Sequence, residues 1–125
     1  MIDHVSVAVG DLAAAMRFYD KVLATLGYQR LDTRETTAGY GKNYSDFWIN
    51  ACPQGTAVSD GAHVCFRARG TEIVDAFHAA ALASGGASDG APGLRPHYND
   101  KYYAAFVRDA DGNRLEAVTF VGANR

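Results

Sequence analysis

The sequence predicts an α+β protein built as two tandem βαβββ modules, and three observations predict it. A strand-like stretch with a histidine ahead of its valines occurs twice, as DHVSVAV from Asp3 and as AHVCFRA from Ala62. Each copy is followed by a glycine, a polar residue and an apolar stripe at helical spacing. Each helix then gives way to alternating, turn-punctuated sequence of strand character. The offset from His4 to His63 is also the offset from Phe18 to Phe77, so strand and helix repeat in register. Two copies of one unit fit this pattern better than a solenoid, which needs three or more.

In the first stretch, period two places Val5, Val7 and Val9 on one face, and Ile2, His4, Ser6 and Ala8 on the other. The valine face calls for a helix. The face with a histidine and a serine must meet something polar: water, a hydrogen-bonded core or a ligand cavity. Asp11 is a suitable N-cap for the helix that follows. Leu12, Met16, Tyr19, Leu23 and Leu26 form its stripe, and Gly27 stands at the C′ position. Three strands come next, in YQRLDTR, AGYGKNY and DFWINAC.

The second module opens with Val64, Phe66 and Ala68 on the apolar face and His63, Cys65 and Arg67 on the other. Thr71 is placed to cap the second helix, with Val74, Phe77, Ala81 and Leu82 as its stripe and Gly85-Gly86 as its stop. The Gly- and Pro-rich segment GGASDGAPGLRPHYNDK reads as a short strand and a loop exposed to ligand or solvent. Asp111-Gly112-Asn113 then turns a hairpin between Tyr102–Arg108 and Arg114–Phe120. The modules run over about residues 1–57 and 58–125, within a single domain of residues 1–125.

Composition narrows the function classes. The 125 residues are 48% hydrophobic and 21% charged, normal for one soluble domain with a core of its own. A net charge of −2 gives no electrostatic case for nucleic acid or an anionic membrane surface. No run of 18 apolar residues is present, and no stretch reads as a secretory signal, so a cytoplasmic protein is expected. Cys52 and Cys65 match no zinc or redox spacing; both are expected to be small buried hydrophobes without a disulfide.

Two βαβββ copies, each opening on a strand with a histidine, resemble the vicinal-oxygen-chelate superfamily, which includes glyoxalase I, bleomycin-resistance proteins, fosfomycin-modifying enzymes and extradiol dioxygenases. The resemblance covers essentially the whole chain. It is carried by DHVSVAVGDLAAAMRFYDKVLATLGY, AHVCFRA and YYAAFVRDADGNRLEAV, the last preceded by GAPGLRPHY as in small bacterial glyoxalase-like members. It implies a curved, cup-like mixed sheet with the helices outside. It also implies metal ligands on the first and last strands of each module, pointing into the cup.

Carried over by position, the ligands offered are His4, His63 and Glu116. Strand parity agrees for Glu116, since Leu115 and Ala117 take the helix-facing side. At the fourth position Trp48 stands where a glyoxalase I would present glutamate, and indole is no substitute ligand. The four-ligand site of that enzyme is therefore not expected. Two histidines and a carboxylate still form the facial arrangement that suits a divalent ion such as Fe or Mn, with Ni and Zn the other candidates. The bland alternative is a pair of satisfied core histidines with Glu116 paired to one of them.

Other residues are candidates for the cup. Trp48, Cys65 and Arg67 are expected to line it, Trp48 as an aromatic wall. His97 and Tyr98, in the irregular segment, are candidates for acid–base work, with a solvated surface loop as the alternative. Tyr40, Tyr102 and Tyr103 either pack or contact ligand. A glutathione-dependent reaction would call on basic residues at the mouth, for which Arg67, Arg95 and Lys101 are available.

Two functions follow from the resemblance. One is a divalent-metal enzyme of lyase, isomerase, transferase or dioxygenase type, acting on a small molecule that chelates through adjacent oxygens. The other is a metal-free small-molecule binding protein of the bleomycin-resistance type, which has no need of the His-His-Glu set. A homodimer is expected in either case, with the cup inside one chain or shared between two.

Overall fold

The computed structural model describes residues 1–55 and 58–122. The module boundary expected at residues 57 and 58 falls beside the segment outside the described residues. The elements run β1 (Val5–Val9), α1 (Leu12–Ala24), β2 (Gln29–Thr33), β3 (Thr37–Gly41) and β4 (Ser45–Ala51) in the first module. The second repeats the order with β5 (His63–Arg67), α2 (Thr71–Ala83), β6 (Ala87–Leu94), β7 (Tyr102–Arg108) and β8 (Arg114–Phe120).

Each module builds its own four-stranded sheet, ordered β1-β4-β3-β2 and β5-β8-β7-β6. In both, the opening strand runs parallel to the module's last strand, and the remaining neighbours are antiparallel. The registers match as well. Ser6 pairs with Trp48 in the first sheet, and Cys65 pairs with Glu116 at the equivalent place in the second.

Strand parity decides what each sheet buries. Val9, Phe66, Ala68, Leu115 and Ala117 enter the core, and Val5, Val7 and Val64 pack against it. One apolar cluster runs through both modules, with Phe47 and Phe66 meeting edge to face at 5.2 Å between them. Buried polar contacts reinforce that joint. Tyr19 donates to Asp109 Oδ2 at 2.6 Å, and Asn113 Nδ2 donates to the Ala8 carbonyl at 2.8 Å, so the β7–β8 turn is fastened to α1 and β1.

The helix ends show which local signals held. Asp11 accepts from the Ala14 amide at 3.1 Å, as an N-cap should. At the other end Gly27 has φ +83°, its amide reaches the Ala24 carbonyl, and the Tyr28 amide reaches the Leu23 carbonyl, both at 3.0 Å. That is a Schellman closure with Gly27 at C′. In α2 the cap is Gly70 rather than Thr71, and no side chain bonds there. The Glu72 carboxylate crowds Gly70 so closely that a Cβ would meet Oε1 at 2.5 Å.

Three further expectations need correction. Leu82 lies outside the buried stripe of Val74, Phe77 and Ala81 and is exposed, because it is rotated about 100° from Ala81 on the helix. The Gly- and Pro-rich segment holds an eight-residue strand, β6, that keeps its pairing only through register breaks around Gly90. Neither cysteine is fully buried: Cys52 is half-buried, and Cys65 is exposed because odd positions of β5 face away from the helix.

Candidate functional site

The face of the second sheet turned away from α2 carries a hollow of about 420 Å³. Its walls include His63, Tyr98, Tyr102, Phe106 and Arg114, with Glu116 among them. Glu116 is only 3% exposed. Burying a carboxylate costs free energy unless its oxygens are matched, and both are. Oε1 lies 3.2 Å from His63 Nε2, and Oε2 accepts a short hydrogen bond from the Tyr102 hydroxyl.

Register explains the convergence. Glu116 sits on β8 between Cys65 of β5 and Phe106 of β7, and His63 is two residues from Cys65 on the same face. Tyr102 opens β7 on that face and is held between aromatic edges, Tyr98 at 5.1 Å and Phe120 at 5.5 Å. Burial and the adjacent Glu116 carboxylate push the Tyr102 phenol well above its ordinary range. Although Cys65 as a residue is exposed, the desolvation of its sulfur by the groups packed around it, and then the Glu116 charge, push the thiol up to about 12. That direction disfavours the thiolate, the nucleophilic form of cysteine.

A charged rim completes the hollow. Arg114 Nε donates to Asp89 Oδ2 at 3.2 Å, and its Nη1 donates to the Asp60 carbonyl. Asp89 also faces Arg108, at 3.5 Å. Sequence alone pointed to none of Asp60, Asp89 and Arg114. Arg114 was legible only as the residue two before Glu116, and so on the same strand face.

His4 is elsewhere. It precedes β1 and lines a shallower hollow of about 240 Å³ on the first sheet, with Ser6, Arg34, Thr37, Trp48 and Asn50. Its Nδ1 lies 2.8 Å from Asp3 Oδ2, both side chains being exposed. Within one chain the structure therefore brings His63 and Glu116 together and leaves His4 apart. Among the described residues, no group of three or more His, Cys, Asp or Glu is close enough to hold a metal ion. The reason is topological: each opening strand pairs with the last strand of its own module, so the two histidines line separate sheets.

The remaining candidates divide. Trp48 lines the first hollow, and Tyr98 lines the second from its rim. His97 is exposed, its ring 4.2 Å from that of Tyr98, and does not line the hollow. Arg67 stacks over Phe120 at 4.8 Å and borders a groove between the modules. Arg95 is occupied by the carbonyls of Ala91 and Gly93. Tyr40 and Tyr103 donate to Asp20 and Asp75, and so serve the packing.

As ligands, an imidazole nitrogen and a carboxylate suit Fe, Mn, Ni or Zn alike. One chain supplies two such donors at this place, and a three-ligand site needs a third. Without metal, the same pair with Tyr102 is a hydrogen-bonding floor beneath aromatic walls, able to orient a small molecule.

Fold and hollow together define a class: a duplicated βαβββ protein that presents a polar, ligand-sized hollow on the open face of its sheet. The chain belongs to the Glyoxalase/Bleomycin resistance protein/Dioxygenase superfamily, whose model matches residues 1–117. It is similar to a glyoxalase/bleomycin resistance protein from Albidiferax ferrireducens T118, with 35% identity, a TM-score of 0.83, and 93% of this chain and 96% of that chain covered. A glyoxalase/bleomycin resistance protein/dioxygenase family enzyme from Burkholderia phytofirmans PsJN shares the fold at 20% identity and a TM-score of 0.75, with 96% and 98% covered. So does the fosfomycin resistance protein FosX of Listeria monocytogenes, at 14% identity and 0.70, with 94% and 91% covered. No curated protein matches the chain. No described helix is long and apolar enough to cross a membrane.

Proposed function

We propose that this protein is a divalent-metal-dependent enzyme acting on a small molecule with two neighbouring oxygens, and that its working cup is shared between two copies of the chain. His63 and Glu116 of one copy hold the ion, and His4 of the second copy is the third ligand. The observation that carries this is the 3.2 Å approach of His63 to a buried carboxylate at the edge of a ligand-sized hollow. The equivalent histidine lies on an open face of the other module, where a second copy can present it.

When bound, a divalent ion supplies Lewis-acid polarisation of the substrate's adjacent oxygens. The chain's own residues do the rest. Tyr102 holds Glu116 Oε2 and orients the carboxylate, a role in which its proton stays on the phenol. Tyr98 and Phe106 wall the hollow against water, and Arg114, steadied by Asp89, offers a fixed positive charge at the rim. A homodimer, a metal cofactor and a cytoplasmic location all belong to this proposal.

The test is metal content by mass spectrometry on untagged protein purified without chelator, with Glu116→Ala and His4→Ala variants beside it. Near-stoichiometric Fe, Mn, Ni or Zn that is lost in both variants supports the proposal. No uptake of any of the four, even after incubation, overturns it.

One observation favours a second function, metal-free binding of a small molecule. Both Glu116 oxygens already have partners within the chain, so the carboxylate is satisfied with no ion present. Saturable ligand binding in the presence of chelator, unaffected by added metal, would select that alternative.

A further inference from the structure

We infer that Trp48 and Arg34 form a stacking platform on the first sheet for a planar aromatic ligand that carries a carboxylate. The inference deepens the proposed function: it rests on that reading for the place of the platform, opposite His63 and Glu116 in the shared cup, and it names the substrate class.

The platform is built by three neighbouring strands. Trp48 of β4 pairs with Ser6 on one side and Gly39 on the other. A Cβ on Gly39 would meet Trp48 Cε3 at 2.9 Å. A side chain there would also meet Ser45 Oγ at 2.5 Å, so only glycine leaves room for Ser45 and the edge of the indole against β3. Arg34 stands over the indole, its guanidinium carbon 5.2 Å from the ring centroid. Among the described residues its one ion pair is a long one with Asp32, at 3.9 Å, and two-thirds of the Arg34 side chain is exposed. The guanidinium is thus free to swing aside and meet an incoming anion.

These features select a ligand. The half-buried indole offers a flat π-system a stacking surface once Arg34 moves off it. An exposed guanidinium held, among the described residues, only by a long ion pair and the indole attracts a carboxylate, which it can grip with two parallel hydrogen bonds. The rest of the lining, Ser6, Thr37, Asn50 and His4, carries no carboxylate, and the nearby Asp3 is engaged by His4 Nδ1 at 2.8 Å and by the Tyr44 hydroxyl at 2.9 Å. Where the second module spends this register position on Glu116, the first spends it on a stacking surface.

Trp48 is the chain's single tryptophan, so its emission reports this site alone. Benzoate is titrated into the protein in chelator while tryptophan fluorescence is followed, with benzamide and cyclohexanecarboxylate as probes lacking the charge and the planarity. Binding is measured by calorimetry for Trp48→Phe, Trp48→Ala and Arg34→Ala. The expected result is a saturable change in emission with benzoate. Affinity should be weaker by about tenfold or more for both control probes, for Arg34→Ala and for Trp48→Ala, and largely kept in Trp48→Phe. Equal binding of benzamide overturns the anion part, equal binding of cyclohexanecarboxylate overturns the stacking part, and no saturable change overturns both. Because chelator is present throughout, failure here is separate from failure of the metal proposal, which metal content decides.

Discussion

Trp48 occupies in the first sheet the register position that Glu116 occupies in the second: Trp48 pairs with Ser6, and Glu116 with Cys65, each across the parallel contact between a module's opening and closing strands. The duplication has therefore kept its backbone and diverged in its chemistry. One face carries a buried carboxylate held by His63 and Tyr102, the other an indole beneath a guanidinium. Several expectations follow from this division and from the contacts that hold the modules together.

If the cup is shared, two inactive variants should complement. His4→Ala keeps His63 and Glu116, and Glu116→Ala keeps His4. Unfolding and refolding an equimolar mixture should restore about a quarter of the wild-type metal sites by random pairing. Metal content of the mixture, set against each variant alone, checks it. No recovery would mean that all ligands come from one chain or that no site exists.

Glu116→Gln should separate ligation from packing. The amide keeps the shape and an acceptor for the Tyr102 hydroxyl, so stability should change by less than about 1 kcal/mol. Metal affinity should fall at least about tenfold, because a neutral amide is a poor ligand for these ions. Urea unfolding and metal titration of the same sample provide both readouts.

Asp109 is predicted to be a principal polar support of the fold. It is buried, and it accepts from the Tyr19 hydroxyl, the Asn113 amide and side chain, and the Asp111 amide. Asp109→Ala strands these donors and should cost about 3 kcal/mol or more. Tyr19→Phe removes one of them and should cost about 1–2 kcal/mol. Urea denaturation of both variants measures the difference.

Stability should fall in alkali in a particular window. Burial, and then the Asp109 carboxylate, raise the Tyr19 phenol well above 10.0; burial raises Tyr40 likewise and takes Tyr28 to about 12. A pKa raised in the folded state contributes stability in full below the unfolded value near 10, and that contribution is lost as pH rises towards the folded value. The urea midpoint should therefore decline above about pH 10 on this account. Absorbance titration should show fewer of the seven tyrosines ionised near pH 10 in the folded protein than in urea.

Gly27→Ala tests the helix closure by itself. The site has φ +83°, and a Cβ there would find only ordinary contact with Lys42 Cε at 3.5 Å. The cost should be the backbone strain alone, about 1–2 kcal/mol, read by thermal or urea unfolding.

Much of this molecule was legible locally. Asp11 and Gly27 mark the ends of α1, and the DGN turn sets the β7–β8 hairpin at its observed bounds. Alternation placed Cys65 and Arg67 on the face of β5 away from the core, although Cys65 was expected to be buried and is exposed. Thr71 and Leu82 misled for the same reason: each is one position from the residue that does the work, and sequence signals are weakest at element ends. Tyr102 was ambiguous because only its packing against Tyr98 and Phe120 aims the hydroxyl at Glu116. Asp89 lies in a strand whose irregular register no periodicity encodes.

By itself, then, the sequence determined the duplicated βαβββ order, the faces of its strands and the polar side on which His63 and Glu116 would fall. These depend on contacts near in the chain, where a period of two or of 3.6 residues is enough. Only the tertiary structure decided which of those residues share a hollow. Because β1 pairs with β4 and β5 with β8, His4 and His63 were sent to different sheets, and Trp48 was seated beside Gly39. Those outcomes rest on strand pairing between segments distant in the chain, and pairing joins residues that no local pattern can relate.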